Sequence, residues 1–174
     1  MPFNEFLQSD FMVRYLLYAG LGLIGETLFT ATMDLIFPKF LCSWNIHTNK
    51  KPTQTRPEWR EPMNTRLTGY SFLWMLPIYG LLVFMEPLSY YLQDLPFVLR
   101  GLIYALAITV MEFIVGWLLE KITGRCPWDY SYHKLSIKGY TRYDFIVIWF
   151  VVGLTVEHFA PALIKLTPHI LEVF

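Results

Sequence analysis

The chain has almost no cysteine and no excess of charge of either sign. Its 14 lysines and arginines balance its 14 aspartates and glutamates, which leaves a net charge of zero. With no arginine-rich or glycine-rich segment either, the composition argues against a nucleic-acid partner. Cys42 and Cys126 are too few for a disulfide framework.

Several signatures of enzymes are also missing. No Gly-x-x-x-x-Gly-Lys-Ser/Thr loop occurs, so the chain cannot hydrolyse ATP by itself in that manner. Glu157 and His158 are adjacent and point about 100° apart on a helix, and the Glu-x-x-His pairs of di-iron bundles do not occur. We therefore expect no catalytic residue, no metal ligands and no cofactor, although a bound cation or lipid is compatible with the sequence.

Long hydrophobic runs are what the chain does have. Hydrophobic residues make up 55% and aromatic residues 18%, more than in an average soluble domain. A membrane-spanning helix needs about 20 mostly apolar residues, and no run alternates with the period of a barrel strand. The sequence predicts one all-α membrane domain, residues 1–174, with four transmembrane helices, and disfavours a soluble bundle. The predicted spans are residues 11–37, 69–92, 97–122 and 143–166.

Lysine and arginine predict how these spans are oriented. Eleven of the 14 lie in or beside the polar connection of residues 38–68 and the third connection, residues 123–142. Positive charge favours the cytoplasmic side, so we expect both connections there and both termini on the outer or lumenal side. Residues 1–10 lack the basic start of a cleaved signal peptide, so we expect the first hydrophobic run to be retained.

The first and third spans resemble each other without gaps. Three residues recur 86 positions later and a fourth is replaced by another acid. The matched pairs are Arg14 and Arg100, Tyr18 and Tyr104, Glu26 and Glu112, and Asp34 and Glu120. The second and fourth spans match more weakly, through Gly69-Tyr70-Ser71 and Gly139-Tyr140-Thr141, with Glu86 and Glu157 one residue out of register. The pattern predicts two tandem helical hairpins related by a pseudo-twofold axis along the membrane normal.

Each hydrophobic run contains a glutamate. They are Glu26, Glu86, Glu112 and Glu157. A charged acid at the bilayer centre costs roughly 2.5–3.5 kcal/mol, so these side chains should face protein or water. Small or hydroxylated residues lie one turn away from each, as expected on faces where membrane helices approach. We predict an intramembrane acidic site in a central seam, or glutamates that only form hydrogen bonds between helices.

Two further groups of residues are candidates at the ends of the spans. Arg14 and Arg100 lie about 18 Å from the glutamates of their own helices and are predicted anchors at the outer interface. After the third span, Gly124 and Pro127 should stop the helix, and the nearby aromatic residues suit an interfacial belt. The alternative is a cytoplasmic mouth, formed by Glu120, Cys126, Trp128, Asp129 and Tyr130.

These blocks resemble a known family. They are Tyr18-Ala19, residues 25–31 with Glu26, Pro77-Ile78-Tyr79-Gly80 with Glu86, Glu112-Phe113 with Gly116, Cys126-Pro127-Trp128-Asp129-Tyr130-Ser131, and Glu157. Together they look like the transmembrane protein 229 family, whose bacterial relatives are catalogued as putative ABC-transporter type IV membrane proteins. The resemblance implies a small polytopic membrane protein and, if the transporter label applies, a separate ATPase subunit.

Three functions follow from these observations. The first is a permease-like component that binds or passes a cation, a proton or a small polar solute. The second is an accessory or structural subunit of a larger membrane complex, in which the glutamates join helices. The third, and least favoured, is a membrane-embedded metal-dependent enzyme. The expected partners are the lipid bilayer and either further copies of the chain or other membrane subunits.

Overall fold

The structure is a computed structural model that describes residues 2–8, 10–36, 67, 69–131 and 133–173. The predicted polar connection of residues 38–68, including Cys42, lies outside the described residues apart from Leu67. The described chain is mostly helical, with almost no sheet.

The helices follow the chain in a simple order. They are α1 (Phe3–Gln8), α2 (Phe11–Ile36), α3 (Met75–Gly80), a 3₁₀ segment (Leu81–Phe84), α4 (Met85–Leu92), α5 (Phe97–Thr123), a 3₁₀ turn (Tyr143–Phe145) and α6 (Ile146–Leu171). Two short strands, β1 (Ser136–Ile137) and β2 (Thr141–Arg142), lie between α5 and α6.

Four helical stretches have the length and apolar composition needed to cross a membrane. They are Phe11–Met33, Met75–Leu92, Phe97–Thr123 and Tyr143–Leu171, with mean hydropathies of 1.3, 1.2, 2.1 and 1.8. Many large apolar side chains remain on the outer surface of these helices, as expected for contact with lipid. The predicted all-α membrane protein with four spans is confirmed.

Two helices have ends that differ from the predicted span boundaries. The second helix begins at Met75 rather than at residue 69, because the backbone of Tyr70 bonds to α2 instead: its N–H donates to Thr30 Oγ1 at 3.0 Å, and its carbonyl accepts from that hydroxyl at 3.1 Å. The fourth helix continues to Leu171, past Pro161 and Pro168, rather than ending at residue 166. A helix can extend beyond its hydrophobic run, so hydropathy does not determine its end.

The spans pack as two hairpins. Helix α2 lies against α3 and the 3₁₀ segment, whereas α5 lies against α6. The hairpins meet where α6 contacts α2 and α4. This pairing is the one expected of two tandem hairpins, while the pseudo-twofold axis between them stays a prediction.

Each hairpin contains a close contact between a glycine and an aromatic ring. A β-carbon on Gly80 would lie 2.4 Å from the ring of Tyr15, and one on Gly101 would lie 2.3 Å from the ring of Phe150. Positions 15 and 101 are 86 residues apart, and positions 80 and 150 are 70 apart. The two contacts thus occupy matched positions, with the small and the large residue exchanged between the helices.

The segment after α5 begins with the predicted helix stop. Gly124 has a left-handed φ of 83°, and its N–H donates to the Glu120 carbonyl at 2.9 Å. Strands β1 and β2 then pair antiparallel, with Ser136 opposite Arg142. Lys138 and Gly139, both at positive φ, form the turn between the strands.

Trp128 and Tyr130 do not belong to an interfacial aromatic belt. They are only 3% and 8% exposed and pack with Leu119 and Phe145. Trp128 Nε1 donates to the Tyr140 carbonyl at 2.9 Å, and the Tyr130 N–H donates to the Gly139 carbonyl at the same distance. The aromatic rings therefore bind the strand pair to the end of α5, and the belt prediction for these two residues was wrong.

Candidate functional site: glutamates between the helices

Glu86 forms an ion pair with Arg14 inside the first hairpin. Arg14 Nε lies 2.9 Å from Glu86 Oε2, and the two side chains are 2% and 0% exposed. Tyr18, one turn along α2 from Arg14, faces the same carboxylate. The ring of Phe6 in α1 lies 5.7 Å from the guanidinium carbon, so α1 helps to cover the pair.

The second hairpin repeats this arrangement with Arg100 and Glu157. Arg100 Nε lies 2.9 Å from Glu157 Oε1, and Tyr104 faces the carboxylate. The Arg100 guanidinium also donates to the Leu95 carbonyl at 2.6 Å. This pair is more open than the first, since its side chains are 21% and 19% exposed.

The two arginines therefore have a role that the sequence did not indicate. Both were predicted to anchor at the outer interface, a prediction that no observation tests. Arg14, however, is buried within the protein rather than exposed at its surface. Each arginine neutralises a glutamate of the neighbouring span, which lowers the cost of a charge in the membrane.

Glu26 has no ion pair within the described residues, and its neighbours are hydroxyl groups. Ser71, in the extended stretch before α3, donates a hydrogen bond to Glu26 Oε2. The Tyr79 hydroxyl also faces Glu26, and the charge of Glu112 acts on the same hydroxyl. Gly22 makes room for Tyr79, because a β-carbon there would lie 2.3 Å from its ring.

Glu112 is surrounded by three donors and likewise has no ion pair in the described chain. Thr141 Oγ1 and Trp149 Nε1 donate to its Oε2, the latter at 3.3 Å, and the Tyr130 hydroxyl donates to Oε1 at 3.3 Å. These donors come from β2, α6 and the block after α5. Glu112 thus joins the third span to the segment that follows it.

Matched positions supply the donors to the two glutamates. Ser71 and Thr141 are 70 residues apart, as are Tyr79 and Trp149. The sequence comparison included Ser71 and Thr141 in its Gly-Tyr-Ser and Gly-Tyr-Thr match, but it did not assign them to the glutamates. It missed Tyr79 and Trp149 as partners, because an aromatic side chain in a membrane helix looks like any other apolar residue.

The 3₁₀ segment explains why Glu86 and Glu157 lie one residue out of register. Seven residues separate Tyr79 from Glu86, and eight separate Trp149 from Glu157. Eight α-helical residues advance about 12 Å and turn about 800°. Seven residues with four in 3₁₀ conformation advance about 12.5 Å and turn about 780°. The tighter segment thus brings Glu86 to nearly the same height and face as Glu157.

Glu120 and Asp129, two residues of the predicted cytoplasmic mouth, accept hydrogen bonds from the segment after α5. Glu120 is exposed at the end of α5, where it accepts a hydrogen bond from the Tyr140 hydroxyl, and this bond raises the pKa of Tyr140. Asp129 is also exposed and accepts from the Ser131 N–H at 2.8 Å, which makes it a turn cap. Whether these residues form a mouth stays a prediction.

Cys126 lies just after the end of α5 and is half-buried. Burial raises the pKa of its thiol to about 12, and the nearby charges of Asp129, Glu112 and Glu120 act in the same direction. The thiol is free in the structure and is therefore almost fully protonated at neutral pH.

The four glutamates differ in their partners. No group of three or more histidine, cysteine or acidic side chains in the described chain is arranged to hold a metal ion. Glu86 and Glu157 are ion-paired. Glu26 and Glu112 accept hydrogen bonds from neutral donors, and the charges of both act on the Tyr79 hydroxyl. Whether the four glutamates form one acidic seam stays a prediction.

A family model covers most of this region. The model described as "Putative ABC-transporter type IV" matches residues 59–173, which include three of the four glutamates and the whole second hairpin. The chain belongs to the putative ABC-transporter type IV family. No solved structure matches this chain. The membership and the four spans together make it an integral membrane protein related to transport.

Proposed function

We propose that this chain is the membrane-spanning component of a transporter and that it passes a proton or a small cation by way of a half-buried carboxylate within the spans. The observation that carries the proposal is the difference between the glutamates. Arginine neutralises Glu86 and Glu157, whereas Glu26 and Glu112 have neutral donors and no ion pair among the described residues. Glu26 is a carboxylate without a fixed counter-charge, whereas the charge of Arg142 acts on Glu112. A carboxylate of the first kind can exchange a proton for a cation with little change in net charge.

The energy source in this proposal lies outside the chain. The family description refers to an ABC transporter, and the sequence has no phosphate loop. We therefore propose a separate ATPase subunit as a partner, bound on the side of the connection between α5 and α6.

Ion flux into liposomes tests this function. The protein is reconstituted with an entrapped pH-sensitive dye, and proton flux is followed under an imposed potassium diffusion potential, with radioactive sodium uptake measured in parallel. We expect flux above that of empty liposomes, and loss of that flux in the double variant Glu26→Gln, Glu112→Gln. Glu172→Gln, an exposed acid at the end of α6, is the matched control.

Equal flux in the double variant and the unchanged protein would contradict the proposal. An accessory subunit is the second candidate, and the large apolar surface of the spans favours it because partner helices could pack there. A protein that shows no flux alone but purifies from mild detergent with a stoichiometric membrane partner would support that second function.

A further inference from the structure

We propose that the first hairpin holds a binding site for a proton or a small monovalent cation, formed by Glu26, Ser71 and Tyr79, and that Glu112 instead anchors the segment between α5 and α6. This inference deepens the proposed function and rests on it for the physiological role of the site. It depends on a comparison of the groups around the two glutamates.

The donors around Glu26 can change their role. A serine or tyrosine hydroxyl can donate a hydrogen bond to a carboxylate or offer its own oxygen lone pair to a cation. Ser71 already has a second acceptor, since its hydroxyl lies 3.4 Å from the Phe72 carbonyl. It can therefore turn away from Glu26 without losing every hydrogen bond.

The donors around Glu112 differ in chemistry and in freedom to move, and the charge of Arg142 also acts on this carboxylate. The indole N–H of Trp149 has no lone pair to offer, so it can stabilise a carboxylate but cannot bind a cation. Thr141 is 1% exposed and is held by its pairing with Ile137 in the strand ladder. The Tyr130 ring packs edge-on against Phe145, with 5.3 Å between ring centroids. These three donors therefore favour a carboxylate of Glu112 that stays in one position and accepts their hydrogen bonds.

The ligand class follows from the groups around Glu26. One carboxylate and two hydroxyls supply a single negative charge and a few oxygen atoms. Divalent ions such as Ca²⁺ take six to eight oxygen ligands, often from several carboxylates. A proton or a monovalent ion such as Na⁺ matches the charge that Glu26 provides.

Tyr79 is positioned to provide an oxygen ligand to a cation at Glu26. Its ring is confined against Gly22, and its hydroxyl faces Glu26 while the charge of Glu112 also acts on it. Tyr79 can therefore contribute an oxygen to a cation at Glu26 without a large movement of its helix. Tyr79→Phe keeps the ring against Gly22 and removes only that oxygen.

Infrared difference spectroscopy of the full chain in lipid films tests the site directly. Sodium is added at constant pH, and the loss of the carboxylic-acid stretching band is followed. We expect a sodium-dependent loss in the unchanged protein, no such signal in Glu26→Gln, and at least a tenfold weaker sodium dependence in Tyr79→Phe.

A second readout tests the anchoring role of Glu112. In a background with Cys42→Ser, Cys126 should react slowly with a maleimide, because its thiol is half-buried and protonated. Thr141→Val removes one donor to Glu112 and should raise the labelling rate at least tenfold, while leaving the infrared signal in place. Glu26→Gln should leave Cys126 protected, which also shows that this variant is folded.

The outcomes of these experiments distinguish failure of the proposed site from failure of the proposed transport function. A sodium signal that survives in Glu26→Gln and disappears in Glu112→Gln overturns the assignment, as does an unchanged protein whose carboxylic-acid band responds neither to sodium nor to a rise in pH. A signal that depends on Glu26, in a protein that carries no flux in liposomes, keeps the site and rejects the proposed transport function.

Discussion

The two arginine–glutamate pairs differ in burial, and at the scale of single residues this difference predicts unequal stabilities. The side chains of Arg14 and Glu86 are 2% and 0% exposed, whereas those of Arg100 and Glu157 are 21% and 19% exposed. Removing one partner of a buried pair leaves an uncompensated charge and costs about 3–5 kcal/mol. Arg14→Gln should therefore lower the midpoint of thermal unfolding in detergent more than Arg100→Gln does.

A double variant distinguishes the loss of attraction between the two charges from the cost of leaving one buried charge unpaired. Arg14→Met combined with Glu86→Leu removes both charges, and apolar residues of similar volume often replace a buried ion pair without loss of stability. This double variant should recover most of the midpoint that Arg14→Gln loses. Equal losses for Arg14→Gln and Arg100→Gln would show that burial does not set the strength of these pairs.

The 3₁₀ segment is the feature that distinguishes the second span from the fourth at the scale of elements. Four tightly wound residues, Leu81–Phe84, compensate for one missing residue before Glu86. Pro87 lies three residues after this segment. Because proline has no backbone N–H, it cannot donate to the Val83 carbonyl, which weakens a continuous α-helix at this point. The span therefore depends on local overwinding to direct Glu86 toward Arg14.

Insertion of one alanine tests this account. Placed between Leu82 and Val83, it lets the segment relax to α-helix while Glu86 turns by only about 20°, so the protein should stay close to its original stability. The matched insertion between Val152 and Gly153 in α6 has no 3₁₀ segment to relax and should turn Glu157 by about 100° from Arg100. Thermal unfolding in detergent gives the comparison, and equal destabilisation by the two insertions would contradict it.

At the scale of the whole molecule, the sequence predicted the spans better than the contacts between them. Four hydrophobic runs and Gly124 were enough to locate the four spans and the end of α5, because these features act within one stretch of chain. The ion pairs join residues 72 and 57 positions apart, and whether an arginine meets a glutamate depends on how two helices cross. Hydropathy contains no such information.

The connection between α5 and α6 shows the same limit in another form. Its aromatic residues are typical both of a membrane interface and of a small buried core, and composition does not distinguish the two. The strand pair decides the matter, since Trp128 and Tyr130 bond to the backbone of Tyr140 and Gly139. The pairing of these strands depends on a turn with two residues at positive φ, Lys138 and Gly139.

The orientation of the whole molecule is predicted by its charge and can be tested at two exposed turns. Lys138 lies at the tip of the strand pair, on the predicted cytoplasmic side, and Asp94 lies in the turn between α4 and α5, on the predicted outer side. Single cysteines are introduced as Lys138→Cys or Asp94→Cys in a chain with Cys42→Ser and Cys126→Ser. A membrane-impermeant maleimide applied to intact cells should label the Asp94 variant alone, and it should label both after lysis. Labelling of the Lys138 variant in intact cells would reverse the orientation. It would also place the proposed ATPase contact on the wrong side, because ATP is supplied from the cytoplasm.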